Sequence, residues 1–254
     1  MQAVLPGINA IEKPQSETKL NLRITWRSLL ALFALTICTG EMHEQIHIQT
    51  GRIICGGYGE RDFNVWQLAK PCAQPQLAFL ATLIGPLWSF AVMWTGAFLL
   101  LKAKTVNYRT IGFALVFAPL PFARIFTAIM GGGDEKVVLR AFLEKDMSLG
   151  TTKILAAAVV IAICLPPIII AYRNAKNRFA ALYVIGFSVM PLVVLGLYVL
   201  TFLNGLLKSG FLSAAPFLGT PLLIPTHSLL MVGILIFSRR RLLEINSETD
   251  SCRH

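Results

Sequence analysis

The sequence predicts an all-α polytopic membrane protein of about six transmembrane helices, with a short β-like extramembrane loop after the first. Three observations carry this. The 254 residues are 55% hydrophobic and 14% charged, against about 25% charged in a soluble domain. Several apolar runs approach or exceed the roughly 20 residues that cross a bilayer. The net charge of +10 is not spread over a face but gathered into short clusters at the ends of those runs. That is the signature of membrane topology rather than of a nucleic-acid surface.

Residues 1–22 are polar, hold Pro6 and Pro14, and read as a loosely ordered tail. The next segment, 23–241, is the six-helix domain, and 242–254 is a second polar tail. Helix 1 begins after Arg23 and Arg27. The run Ser28–Cys38 is too short to span by itself and could be the core of a signal peptide. A leader this long containing Glu12 and Glu17, with Ile37 before Cys38, fits that poorly. As a transmembrane helix it must continue to about Ile48. Further spans are expected at about 77–101, 110–130, 152–172, 182–206 and 213–238.

Between helices 1 and 2, residues 49–75 carry Gly51, Gly56, Gly57 and Gly59, with β-like pieces at Ile53-Ile54 and Asp62–Trp66. Cys55 and Cys72 share this loop and can form a disulfide if it faces an oxidising compartment. Arg61 and Asp62 read as a surface ion pair of little energetic value. Pro191, Pro216, Pro221 and Pro225 are expected to kink helices or mark reentrant turns.

Basic clusters orient the bundle. Lys13, Lys19, Arg23 and Arg27 precede helix 1; Lys102, Lys104 and Arg109 link helices 2 and 3; Arg173, Lys176 and Arg178 link helices 4 and 5; Arg239–Arg241 follow helix 6. All four fall on one side of a six-helix arrangement, while the opposite loops mix signs (Glu60, Arg61 and Asp62; Asp134, Glu135, Lys136, Glu144, Lys145 and Asp146). Both termini are therefore expected in the cytoplasm, with the protein in a bacterial inner (plasma) membrane.

The chemistry is expected in His43-Glu44-Gln45-Ile46-His47. Residues four apart share a helix face, so His43 and His47 can offer two imidazole nitrogens to one Zn2+. Glu44 is placed to take a proton from water activated by the metal. Ionisable residues inside a membrane segment are costly and mark function. Two histidines rarely hold a catalytic zinc alone, so a third protein ligand is required. His254 lies in the tail. His227 is roughly 20 Å along helix 6, whereas Asp134 and Glu135 follow helix 3 at the motif's own depth. Gly131–Gly133 let the backbone leave the helix and aim Asp134. Asp134 is the expected ligand, with Glu135 and His227 as alternatives. Arg124, inside helix 3, reads either as a structural pair or as a partner near the site. Glu41 reads as an interfacial charge, and His227 as a hydrogen-bonded core histidine.

A His-Glu motif on a membrane helix, a later helix with Gly85-Pro86-Leu87-Trp88-Ser89, and a distal Asp beside glycine resemble the site-2 protease family of intramembrane zinc metalloproteases. The resemblance spans about residues 28–135. It implies His43, His47 and Asp134 as zinc ligands and Glu44 as general base, with Gly85–Ser89 matching a Gly-Pro-x-x-Asn element in which Ser89 replaces Asn. Pro119-Leu120-Pro121 is similar to the family's proline-bearing approach to the aspartate. Two departures stand out: the glycines precede Asp134 instead of following it, and the Pro-to-Asp spacing is longer.

The expected activity is hydrolysis of a peptide bond in a transmembrane or membrane-proximal protein substrate, with the lipid bilayer as solvent and no nucleic-acid partner. The Gly-rich loop 49–75 would hold that substrate extended by strand addition. A di-iron hydroxylase also uses H-x-x-x-H boxes, but four histidines are too few. The alternative is a non-catalytic polytopic protein (transporter, assembly factor or inactive relative) in which His43 and His47 merely pair with carboxylates.

Overall fold

The computed structural model describes residues 19–143 and 148–247. Glu12, Lys13, Glu17, Glu144–Asp146, Cys252 and His254 lie outside the described residues. The elements are α1 (Trp26–Cys55), a hairpin of β1 (Tyr58–Arg61) and β2 (Trp66–Leu68), α2 (Ala78–Lys102), α3 (Val106–Phe117), α4 (Pro121–Met130), α5 (Asp134–Leu143), α6 (Leu149–Asn174), α7 (Ala180–Leu195), α8 (Asn204–Lys208) and α9 (Leu223–Ser238).

Among the described residues, four helical stretches are long and apolar enough to cross a membrane: Pro75–Lys102, Val106–Met130, Leu149–Asn174 and Ala180–Lys208. This is a helical membrane protein. The count is four where six were expected, and the two outer helices depart for different reasons. α1 has 30 residues, about 45 Å, but Glu41, His43, Glu44, His47 and Arg52 interrupt its apolar character. α9 has only 16 residues, because 213–222, expected to begin that helix, is irregular. Pro216 and Pro221 lack the N–H a helix needs, and Leu212 and Leu218 adopt left-handed φ values of 48° and 52°.

α1 starts on a capping box, with Thr25 accepting from the Ser28 N–H. It runs past the motif to Cys55 and stops where Gly56 takes φ 80°. The Ile53-Ile54 piece is therefore helical rather than extended, and Asp62–Val65 forms the hairpin turn, its amides at 64 and 65 capped by the Asp62 carboxylate. The third expected span is two helices. Pro119-Leu120-Pro121 breaks it, with Leu120 at φ 55°, a conformation that costs a non-glycine residue about 1–3 kcal/mol. Likewise Ala180–Lys208 is not uniform: α7 passes into a π-helical stretch, Gly196–Leu203, before α8.

The main core sits where α2, α3, α6 and α7 meet, around Met93, Leu100, Phe113, Phe117, Val160 and Phe187. α2 and α3 cross closely because Gly96 and Gly112 face each other's backbone, leaving no space for a Cβ at either position. The tail boundaries expected at 22 and 242 are corrected here. Leu20, Leu22, Leu242 and Ile245 are buried in that same core, and Leu20 N–H donates to Asn174 while Arg23 N–H donates to Ile245.

Candidate metal centre

The structure brings His43, His47 and Asp134 together. His43 and His47 lie on the buried face of α1, with their Nε2 atoms 3.0 Å apart. Asp134 Oδ2 stands 3.4 Å from His43 Nε2 and 3.5 Å from His47 Nε2. A tetrahedral ion with ligand bonds of 2.0–2.2 Å separates its donors by roughly 3.3–3.6 Å; both distances to Asp134 fall in that range, and the two nitrogens stand closer together than that. The set of two nitrogens and one carboxylate oxygen fits a divalent metal in general.

Asp134 reaches this position because α4 ends at Gly131 (φ 82°) and Gly133 (φ 90°) redirects the chain; Asp134 is then the first residue of α5. Burial alone raises the Asp134 carboxyl, but the two histidines beside it outweigh burial and hold the group below the ordinary carboxylate range.

The rings are aimed by α2. His47 Nδ1 donates to the Ala81 carbonyl at 2.6 Å, which fixes the tautomer that leaves Nε2 free for a ligand. Gly85 lies directly against the His47 ring, so a Cβ there would collide with it. His43 Nδ1 is 3.0 Å from Ser89 Oγ. That oxygen has two lone pairs and also accepts from Arg124 at 3.1 Å. Ala81, Gly85 and Ser89 are thus one stripe of α2, spaced by four like the histidines they support.

Arg124, on α4, lies 2.9 Å from His43 Nδ1 and donates to Glu135 at 2.8 Å. Glu135 is consequently held by Arg124 rather than by the imidazole pair. His227, the other alternative ligand, bonds the Tyr198 hydroxyl at 3.0 Å and stands edge-on to Phe63.

Glu44 borders the cavity of about 250 Å³ that opens beside the triad, together with Ser89, Leu120 and Arg124. Its carboxylate makes no hydrogen bond to another described residue, unlike Glu41 and Glu135.

A hairpin roofs the centre, and four contacts fix it. Trp66 stacks on the His47 ring with centroids 4.9 Å apart. Arg61 forms a two-pronged ion pair with Glu41 at 3.0 and 3.1 Å. Asn204 accepts from the Phe63 N–H and donates to Asn64. Cys55 and Cys72 form a disulfide. One expectation is corrected. Arg61 and Asp62 are not a surface pair, since Arg61 is buried and its Nε bonds only the Asp62 backbone oxygen. Glu41, read as an interfacial charge, is the partner of Arg61. Sequence reasoning missed Trp66 and the Glu41–Arg61 pair, which no local spacing connects to the motif. The role of Ala81 had a signal: a small-residue stripe at the histidines' own interval.

Comparison with family models, curated proteins and solved structures finds no match to this chain.

Proposed function

We propose that the protein is an intramembrane zinc metalloprotease that hydrolyses a peptide bond of membrane-embedded or membrane-proximal protein substrates. The observation that carries this reading is the convergence of His43 Nε2, His47 Nε2 and Asp134 Oδ2 at mutual distances of 3.0–3.5 Å, beside an unengaged Glu44. These three side chains would hold the zinc, which supplies Lewis acidity to a water and to the scissile carbonyl when bound.

The chain's own groups then divide the work. Glu44 faces the cavity and serves as general base, accepting the proton of the attacking water and passing it to the leaving amine. The Ala81 carbonyl keeps the His47 imidazole in the ligating tautomer, and Ser89 holds the His43 ring through its Nδ1. Arg124 adds a fixed positive charge at the cavity wall, where negative charge develops on the carbonyl oxygen. The resemblance to the site-2 protease family would assign Gly85–Ser89 and Asp134 to this site, and Ser89 bonds both His43 and Arg124. The hairpin and segment 213–221 flank a larger cavity of about 880 Å³, which suits a locally unwound substrate pairing with a strand edge.

The test is metal content and hydrolysis of the detergent-purified protein. About one equivalent of zinc is expected, lost in His43→Ala, His47→Ala and Asp134→Ala. Glu44→Gln is expected to retain zinc and abolish cleavage. Metal-free protein whose cellular function survives Glu44→Gln would instead establish the non-catalytic alternative.

A further inference from the structure

Trp26 opens α1, about 25 Å along that helix from His43. Beside it lies a groove of about 690 Å³ between the first turns of α1 and the side of α9. Its lining divides by kind. Trp26 and Leu30 from α1, with Leu230, Ile234 and Phe237 from α9, form the wall, and Arg27 and Arg241 stand at one end. The two arginines share that end because the chain is tied together there. Arg23 N–H donates to the Ile245 carbonyl, and the Thr25 hydroxyl donates to the Glu244 carboxylate.

The groove is polar at that end alone. From Leu229 to Ser238 it follows α9 for about 14 Å, close to the roughly 15 Å of hydrocarbon in one leaflet. Over this depth the one polar side chain is Ser238, at the basic end, and its hydroxyl donates to the Ile234 carbonyl. An amphiphile with an anionic head and apolar tails has the same division. An extended peptide would bring backbone groups that such a wall cannot satisfy. A transmembrane helix packs best on small residues, whereas Leu229, Leu230, Ile234 and Phe237 hold a neighbouring backbone away.

The arginines favour a phosphate. Arg27 lies over the Trp26 ring, 5.5 Å from its centroid, and meets no carboxylate among the described residues. Arg241 gives one nitrogen to Glu244, and its planar fork has further N–H donors to offer. Phosphate oxygens accept from such forks in pairs. Arg239 and Arg240 bring the same charge to this end but do not border the groove. They separate a built site from the general basic character of the surface.

We infer that this groove is a binding site for an anionic phospholipid, with the phosphate on Arg27 and Arg241 and the acyl chains along Leu30, Leu230, Ile234 and Phe237. The inference is independent of the metalloprotease reading and holds equally for a non-catalytic protein.

The test places the full-length protein in phosphatidylcholine nanodiscs containing a minor fraction of a lipid with brominated acyl chains, either phosphatidylglycerol or phosphatidylcholine. Quenching of Trp26 fluorescence is read by difference against Trp26→Phe, each variant being referred to the same lipids without bromine. Apparent affinity for the phosphatidylglycerol should exceed that for the phosphatidylcholine by at least about fivefold. Arg27→Gln should remove most of this preference and Arg27→Gln with Arg241→Gln all of it, while Arg239→Gln with Arg240→Gln should leave it in place. A Cβ on Gly233 would meet nothing within 4 Å, so Gly233→Leu fills the groove without displacing a neighbour and should weaken phosphatidylglycerol binding with both arginines intact. Equal quenching by the two lipids overturns the site, as does a preference lost equally in the Arg239 and Arg240 pair, which marks diffuse surface charge. Relief of quenching by free glycerol phosphate, or full binding in Gly233→Leu, shows that only the anion is read and also overturns it. Absence of quenching by either lipid means that a second copy or another part of the chain covers the groove, and no lipid site exists there.

Discussion

The His47 imidazole occupies the space into which a side chain on Gly85 would project. Absence of a side chain in α2 thus determines where the His47 ring of α1 can stand. Gly85→Ala should push the ring away from Asp134 and lower zinc affinity by about 10–100-fold, the scale on which supporting contacts act. Because alanine favours a helix by about 1 kcal/mol over glycine, thermal stability should fall less than zinc affinity does. Unchanged zinc affinity in this variant would show that the ring and the helix can separate without consequence.

Ser89 joins His43 and Arg124 through one oxygen. Ser89→Ala should weaken zinc binding by about tenfold or more, and competition against a chelator of known affinity measures it. Ser89→Thr keeps the hydroxyl and should restore most of the loss.

Arg124 and Glu135 are both largely buried, with side chains 15% and 11% exposed. Removing either partner leaves the other charge without compensation, at a cost of about 3–5 kcal/mol. Arg124→Met should destabilise the protein by that order in detergent unfolding, and Arg124→Met combined with Glu135→Gln should recover much of it. Additive losses in the double variant would argue against a coupled pair.

The Cys55–Cys72 bond closes a segment of 17 residues that carries Trp66 onto His47. Opening a loop of this length costs about 3 kcal/mol. Reductant should therefore lower Tm by several degrees, and Cys55→Ser should show the lowered Tm with no further response to reductant.

Much of this was legible because it depends on short intervals. The i, i+4 histidines, the glycines before Asp134 and the apolar runs are all local patterns that helix geometry converts into positions. Depth along the helices favours Asp134 over His227 for the same reason: rise per residue is constant. Illegible features depend on contacts between segments far apart. Nothing near Arg61 announces Glu41, and nothing near Trp66 announces an imidazole beneath it. The span count also slipped for a physical reason. α1 is long because its polar residues find partners in α2, the hairpin and α5, so its length does not come from apolar composition. α9 is short because Pro216 and Pro221 withhold backbone donors.

His43 and His47 on α1 emerge from the ribosome well before Asp134, which sits beyond three further helices. Until that carboxylate is made and folded alongside them, the two imidazoles stand without their third partner. If the centre holds a metal as proposed, a half-built copy would lack it, and a chain truncated before Gly131 should take up no zinc however well its first helix inserts.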